Sequence, residues 1–104
     1  MLNCVSVMGR LTTEPRYNKT VGGVAVAGFT LAVERDYNRE ETDFFPVVAW
    51  RGTAEFVDKY LHKGQRVAIH GRLQLRKWTD EEGRERREIE IVAESVYFAD
   101  KPRE

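Results

Sequence analysis

Residues 66–78 read RVAIHGRLQLRKW, and they are two patterns interleaved. Val67, Ile69, Leu73 and Leu75 fall on one parity, with Gly71 filling the gap between them. Arg66, His70, Arg72, Gln74, Arg76 and Trp78 fall on the other, with Ala68 among them. Side chains along a strand alternate between its faces, so this stretch reads as a strand with one face buried and a basic face turned outward. The outward face then needs a reason to be basic and to end in tryptophan.

Just upstream, residues 53–62 (TAEFVDKYLH) change period. Phe56, Val57, Tyr60 and Leu61 fit one face of a short helix, with Thr53 as its cap and Glu55 in its first turn. Lys63-Gly64 ends it, Gly64 being the left-handed stop. Residues 43–51 (DFFPVVAWR) form a strand with Phe45, Val47 and Ala49 on one face and Phe44, Pro46, Val48 and Trp50 on the other. Pro46 asks for an edge position or a bulge. Residues 35–42 read as an exposed charged loop, and residues 24–34 as a strand with Phe29, Leu31 and Val33 on one face. Gly28 within it points to a bulge or bend. Residues 12–23 form a connection rich in turn formers. Residues 3–11 carry apolar groups on both parities, which calls for cover on both sides, the second from another subunit. Downstream, residues 79–86 are a turn around Gly83, and residues 87–98 a last strand. Ile89, Ile91, Ala93 and Tyr97 share one parity there, Glu88, Glu90 and Glu94 the other.

Five strands with one short helix between the third and fourth is the order of an OB-fold, an all-β, five-stranded barrel whose closure removes most sheet edges; other small barrels share the strand pattern, and the helix position favours this one. The 104 residues fit a single domain, 1–104. Hydrophobic residues make up 41% and charged residues 33%, the balance of a folded chain and not of a disordered one. Cys4 is the one cysteine, so no disulfide forms within the chain. No apolar run approaches the roughly 18 residues of a membrane span, and no leader pattern is present. A cytoplasmic protein is expected.

No catalytic constellation emerges. Ser6 and Ser95 lie inside strands, His62 and His70 lack metal-pair spacing, and no phosphate-cradling glycine loop occurs. The expectation is no enzyme, no metal and no cofactor. Net charge is zero but uneven. Residues 44–78 hold seven basic groups against two acidic, whereas residues 79–104 hold five against nine. Arg72 and Arg76 on the outward face of the opening stretch, ending in Trp78, form a phosphate track that leads to a stacking platform. Phe44 and Trp50 share a strand face that the core does not claim, and Tyr37 sits in the charged loop. Flat rings beside cations suit single-stranded nucleic acid: unpaired bases stack at about 1–3 kcal/mol each with little regard to sequence. Duplex readers need a helix or ribbon in a groove, and the one helix is not basic. Burial of these rings in the core or at protein contacts is the competing account.

The stretches NCVSVMGRLTTEP, GVAVAGFTLAVER and FFPVVAWRGTAEFVDKYLHKGQRVAIHGRLQLRKWTDEEG together resemble the DNA-binding domain of the bacterial single-stranded-DNA-binding protein family. The resemblance implies sequence-independent binding and protection of single-stranded DNA in replication, recombination and repair, in a nucleoid-associated homotetramer, with a dimer as the alternative. It implies stacking on Trp50, Trp78, Phe44 (where many members carry tryptophan) and Tyr37. Phosphate contacts are implied at Lys63, Arg76 and Lys77, with Arg10 and Arg16 as additions near the first loop. Pro46 and Gly52 stand where some members have basic residues. The chain ends at FADKPRE, without the linker and acidic tail of full-length members, so no tail-mediated recruitment of partners is expected. The alternatives are a primosomal accessory or RNA-binding OB module, and a protein-interaction module.

Overall fold

In the computed structural model, described for residues 1–100, the chain runs β1 (Val5–Leu11), β2 (Arg16–Lys19), β3 (Ala25–Arg35), β4 (Asn38–Trp50), α1 (Arg51–Tyr60), β5 (Arg66–Thr79) and β6 (Glu85–Phe98). The expectation about a tail concerns the chain end, where residues 101–104 lie outside the described residues. The sheet order is β1-β5-β6-β4-β3-β2, and a β1–β3 pairing closes it into a barrel. β1 and β2 both pair antiparallel with one edge of β3, β1 at Leu31 and Ala32 and β2 from Ala25 to Gly28. They act as one interrupted strand, so six segments make the five-stranded OB barrel that the element order predicts. Residues 16–19 were expected in a connection. The edge of β3 recruits them into a ladder despite their turn-forming neighbours, because its backbone groups need partners.

The core comes from inward residues of every barrel strand: Leu11, Ala27, Phe29, Leu31, Val47, Ala49, Val67, Ile69, Ile91 and Ala93. Ala54, Val57 and Leu61 add the face of α1 that plugs one end. That face is rotated from the expected one, since Phe56 is half-buried and Tyr60 exposed. The helix also starts two residues early. Trp50 takes the cap position in extended conformation without a side-chain hydrogen bond, and Arg51 turns the chain at φ 55°. Thr53 therefore lies inside the first turn and Glu55 beyond it. Gly64 does adopt the expected left-handed conformation, φ 84°, and its N–H donates to the Leu11 carbonyl.

Four further expectations are corrected. The loop 35–42 is tighter than expected: a two-residue turn, Asp36-Tyr37, lies inside the Arg35↔Asn38 pair, the register then shifts so that residues 39–41 have no partner on β3, and pairing resumes at Glu34↔Thr42. Gly28 sits in a regular ladder, paired with Val48 and Arg16. The irregularity of β5–β6 lies at His70/Gly71, where Ser95 and Ala93 are the successive partners and Glu94 is the extra residue. That insertion flips parity, so Tyr97 pairs with Ala68 on the outside while Val96 pairs with Ile69 on the inside. Finally, Leu73 and Leu75 are not core: β5 outruns the barrel, and they lie exposed with Ile89 on the unpacked side of the hairpin. Pro46 does sit on a β4 stretch paired with β3 alone, just before β6 joins.

Gly71 is required by close approach. A Cβ there would lie 1.9 Å from the Val92 carbonyl oxygen, backbone that cannot move cheaply. Gly71→Ala is expected to lower unfolding free energy by about 1–3 kcal/mol, the usual cost of overpacking. Urea titration followed by circular dichroism measures it, and an unchanged midpoint would contradict the packing described.

Candidate nucleic-acid interface

β4 and β6 run parallel and pair at Val47↔Ile91 and Val48↔Val92. On the side of this ladder from which both strands arrive, they come from different hairpins. β4 comes from the β3–β4 turn at Tyr37, and β6 from the β5–β6 turn at Asp80–Arg84. The diverging strands leave a groove of about 280 Å³. Its lining includes Arg16, Gly28, Thr30, Pro46, Val48 and, from the β5–β6 hairpin, Arg76, Glu88 and Glu90.

Strand parity puts Phe44, Pro46, Val48 and Trp50 on the outer face of β4, since Val47 and Ala49 between them are buried. Phe44 is 63% exposed and Trp50 41%. Trp78 is 36% exposed near the end of β5. The Arg76 guanidinium lies over its ring, 4.6 Å from the centroid, a cation–π contact made two residues apart on one strand face. Arg76 Nη1 is also 3.7 Å from Glu88 Oε1 on the facing strand. Tyr37, 81% exposed, caps the other hairpin.

The other sequence-selected residues divide. Arg16 joins Arg76 in the groove lining. Arg72 shares the outer face with Arg76 and donates to Gln74 Oε1 at 2.8 Å. Lys77 lies opposite Arg87 and lines the depression beside Trp78. Lys63 is in the turn after α1, where its backbone N–H donates to Glu14. Arg10 lies in one cross-strand row with Phe44, through Ala32 of β3, but far from Trp78. It pairs with Arg66 at the far end of β5, roughly 40 Å of extended strand from Trp78. There it donates to the Gly64 carbonyl at 3.0 Å and lies 3.6 Å from Asp100.

Sequence reasoning passed over Arg86, which faces Trp78 directly and donates through Nε to Asp80 at 2.9 Å. It also passed over Glu88 and Glu90, whose alternation in residues 87–98 was visible but whose groove position depends on the hairpin's departure from the barrel. Burial pushes the Glu90 carboxyl up, opposed by Arg76 and reinforced by Glu88. Asp80 is held below the usual carboxylate range by the Arg84 N–H, then by Arg86.

Arg35 braces the β3–β4 hairpin. It forks onto Asp43 at 3.0 and 2.9 Å and also donates to Glu41 and to the Tyr37 hydroxyl.

A model of the single-strand binding protein family matches residues 2–99. The chain belongs to that family. It is 46% identical over 102 residues to the single-stranded DNA-binding protein of Halalkalibacterium halodurans, covering 94% of this chain and 61% of that protein. It is 44% identical to single-stranded DNA-binding protein 1 of Staphylococcus aureus, covering 94% and 61%. With the single-stranded DNA-binding protein of Malacoplasma penetrans the identity is 42%, covering 91% and 50%. The chain thus spans half to three-fifths of the length of these three curated relatives. Among the described residues, no helix of this family member is long and apolar enough to cross a membrane, and no cluster of potential metal ligands occurs.

The Arg35 fork holds Asp43 below the usual carboxylate range, chiefly by its hydrogen bond. A folded value below the unfolded one means the support is complete above about pH 4 and is lost as pH falls through the folded value. Asp43→Asn is therefore expected to speed amide exchange in residues 35–43 at neutral pH while barrel amides stay protected. Hydrogen-exchange mass spectrometry reads this directly, and equal hairpin protection in both proteins would contradict the brace.

Proposed function

We propose that the chain binds single-stranded DNA without catalysis and with little sequence preference. Bases stack on Trp50, Trp78, Phe44 and Tyr37, and phosphates contact Arg16, Arg72, Arg76, Lys77 and Lys63. The observation that carries this reading is the placement of exposed Trp78 and Phe44 on the two diverging hairpins, with arginines lining the groove between them. Phe44 is two residues before Pro46 and Trp78 two residues after Arg76, both of which line the groove, and exposed rings interleaved with cations suit unpaired bases and phosphates. The names of the relatives agree with it. Protection of exposed strands during replication, recombination and repair, in the bacterial cytoplasm, is the corresponding role. Arg10 is a further phosphate contact on the Phe44 side, since it shares a cross-strand row with that ring through Ala32, while its guanidinium rests on the Gly64 carbonyl and near Asp100.

Association into a homotetramer or dimer is part of the same proposal. On the outer face of β1, exposed Met8 lies beside Ala68, which in turn pairs with exposed Tyr97. This apolar row, on the face opposite the inward Val5 and Val7, supports cover by a second copy. Ser6 Oγ and His70 Nδ1 form a 2.9 Å hydrogen bond on the same face, a polar register mark beside the apolar row.

Titration with poly-dT followed by tryptophan fluorescence is the test. Strong quenching is expected for the native chain. Trp78→Ala should weaken binding by about 1–3 kcal/mol across unrelated sequences, with an unchanged melting temperature. Equal affinity in that variant, or the absence of quenching in the native chain, contradicts the stacking platform.

A further inference from the structure

The groove described above is not simply positive. Two arginines, Arg16 and Arg76, share its lining with two glutamates, Glu88 and Glu90. Glu88 and Glu90 lie on the same face of β6, directly opposite Arg76 and Gln74. Carboxylates on a surface meant for a polyanion oppose binding, so their presence needs a reason. Glu88 is not needed for the core: its side chain is 44% exposed, and the hairpin there has left the barrel. What it does touch is Arg76, at 3.7 Å, while Arg76 rests over the Trp78 ring.

Resting on the DNA-binding reading, we propose that Glu88 is an internal competitor for the DNA phosphate. In the free protein its carboxylate holds Arg76, which keeps the guanidinium over one face of Trp78. When DNA enters, a phosphate displaces the carboxylate from Arg76 while a base takes its place at the indole. The displaced glutamate stays beside the incoming strand and repels it, which lowers affinity and hastens release. Glu88 is thus a positioning and affinity-setting residue: it pre-sets the platform, and it limits how tightly the strand is held. Glu90, partly buried one step along the same face, extends the negative side of the groove toward the barrel.

Glu88→Gln removes the charge and keeps the shape. Binding to oligo-dT is expected to tighten about two- to five-fold at low salt, the range of exposed ion-pair energies converted to affinity. The slope of log K against log salt should steepen by about 0.7, one phosphate's share on a single strand, because Arg76 no longer arrives already neutralised. In an Arg76→Ala background the same substitution should change affinity by less than about half as much, since the competition has lost its object. Equal or weaker binding by Glu88→Gln at an unchanged slope overturns the proposal. So does a full-sized gain in the Arg76→Ala background, which would make Glu88 a general field effect. Thermal melting of each variant confirms a folded barrel, and Glu88→Ser serves as a second neutral replacement should the glutamine variant melt early. Failure of the native chain to bind oligo-dT would defeat the DNA-binding reading itself. Binding by the native chain with no response to Glu88 defeats this inference alone.

Discussion

The two-residue parallel ladder between β4 and β6 is the constraint on which the rest of the molecule depends. Val47 and Ile91 place their side chains in the core and close the barrel there. Had the pairing run further toward the hairpins, β4 and β6 would form one continuous outer surface. Because it stops after two pairs, the two hairpins diverge, and the groove lies in the angle between them. Pro46, immediately before the ladder, is a residue that cannot donate to a further rung. The same short contact therefore seals the interior and creates the surface on which the proposed function rests.

Several cations on and beside that surface are held by neighbouring side chains. Arg35 is engaged by Asp43 and Glu41, Arg72 by Gln74, Arg76 by Glu88 and Arg86 by Asp80. Each contact reduces the conformational freedom of a long side chain before any ligand arrives, and so reduces the ordering cost of binding. The contacts with carboxylates also offset positive charge in a chain whose formal net charge is zero. Under the proposed function, such a surface relies on stacking for much of its hold, with ionic contacts that tune and orient. Weak sequence preference is the natural companion of stacking, since every base has a π-face.

Strict alternation in residues 66–78 made β5 legible, and the change to helical period made α1 legible. The outward parity of Phe44 and Trp50 could be read because Val47 and Ala49 claim the core side, though Phe45, on the same parity as these two, is left exposed where β4 leaves the barrel. Other features were hidden for physical reasons. The alternation of Leu73 and Leu75 is the same as that of Val67 and Ile69, so nothing local marks where β5 leaves the barrel. The extra residue at Glu94 is set by pairing with β5, so the reversal at Tyr97 could not be seen in residues 87–98 alone. β2 exists because β3 offers an edge, against the preferences of its own residues. Arg10 looked like the other cations near the first loop; its place in the Phe44 row, far from Trp78, depends on how β1 pairs with β3 and β5.

The central claim, that exposed rings on the two diverging hairpins and on β4 hold single-stranded DNA by its bases, is tested most directly by contact mapping. Oligonucleotides carrying 5-iodouracil, photo-crosslinked to the native protein and analysed by peptide mass spectrometry, report which side chains touch bases. Adducts at Trp78, Trp50 and Phe44 are expected, with Tyr37 at the hairpin tip. Adducts confined to Tyr97 or Tyr60, outside the groove, would contradict the claim.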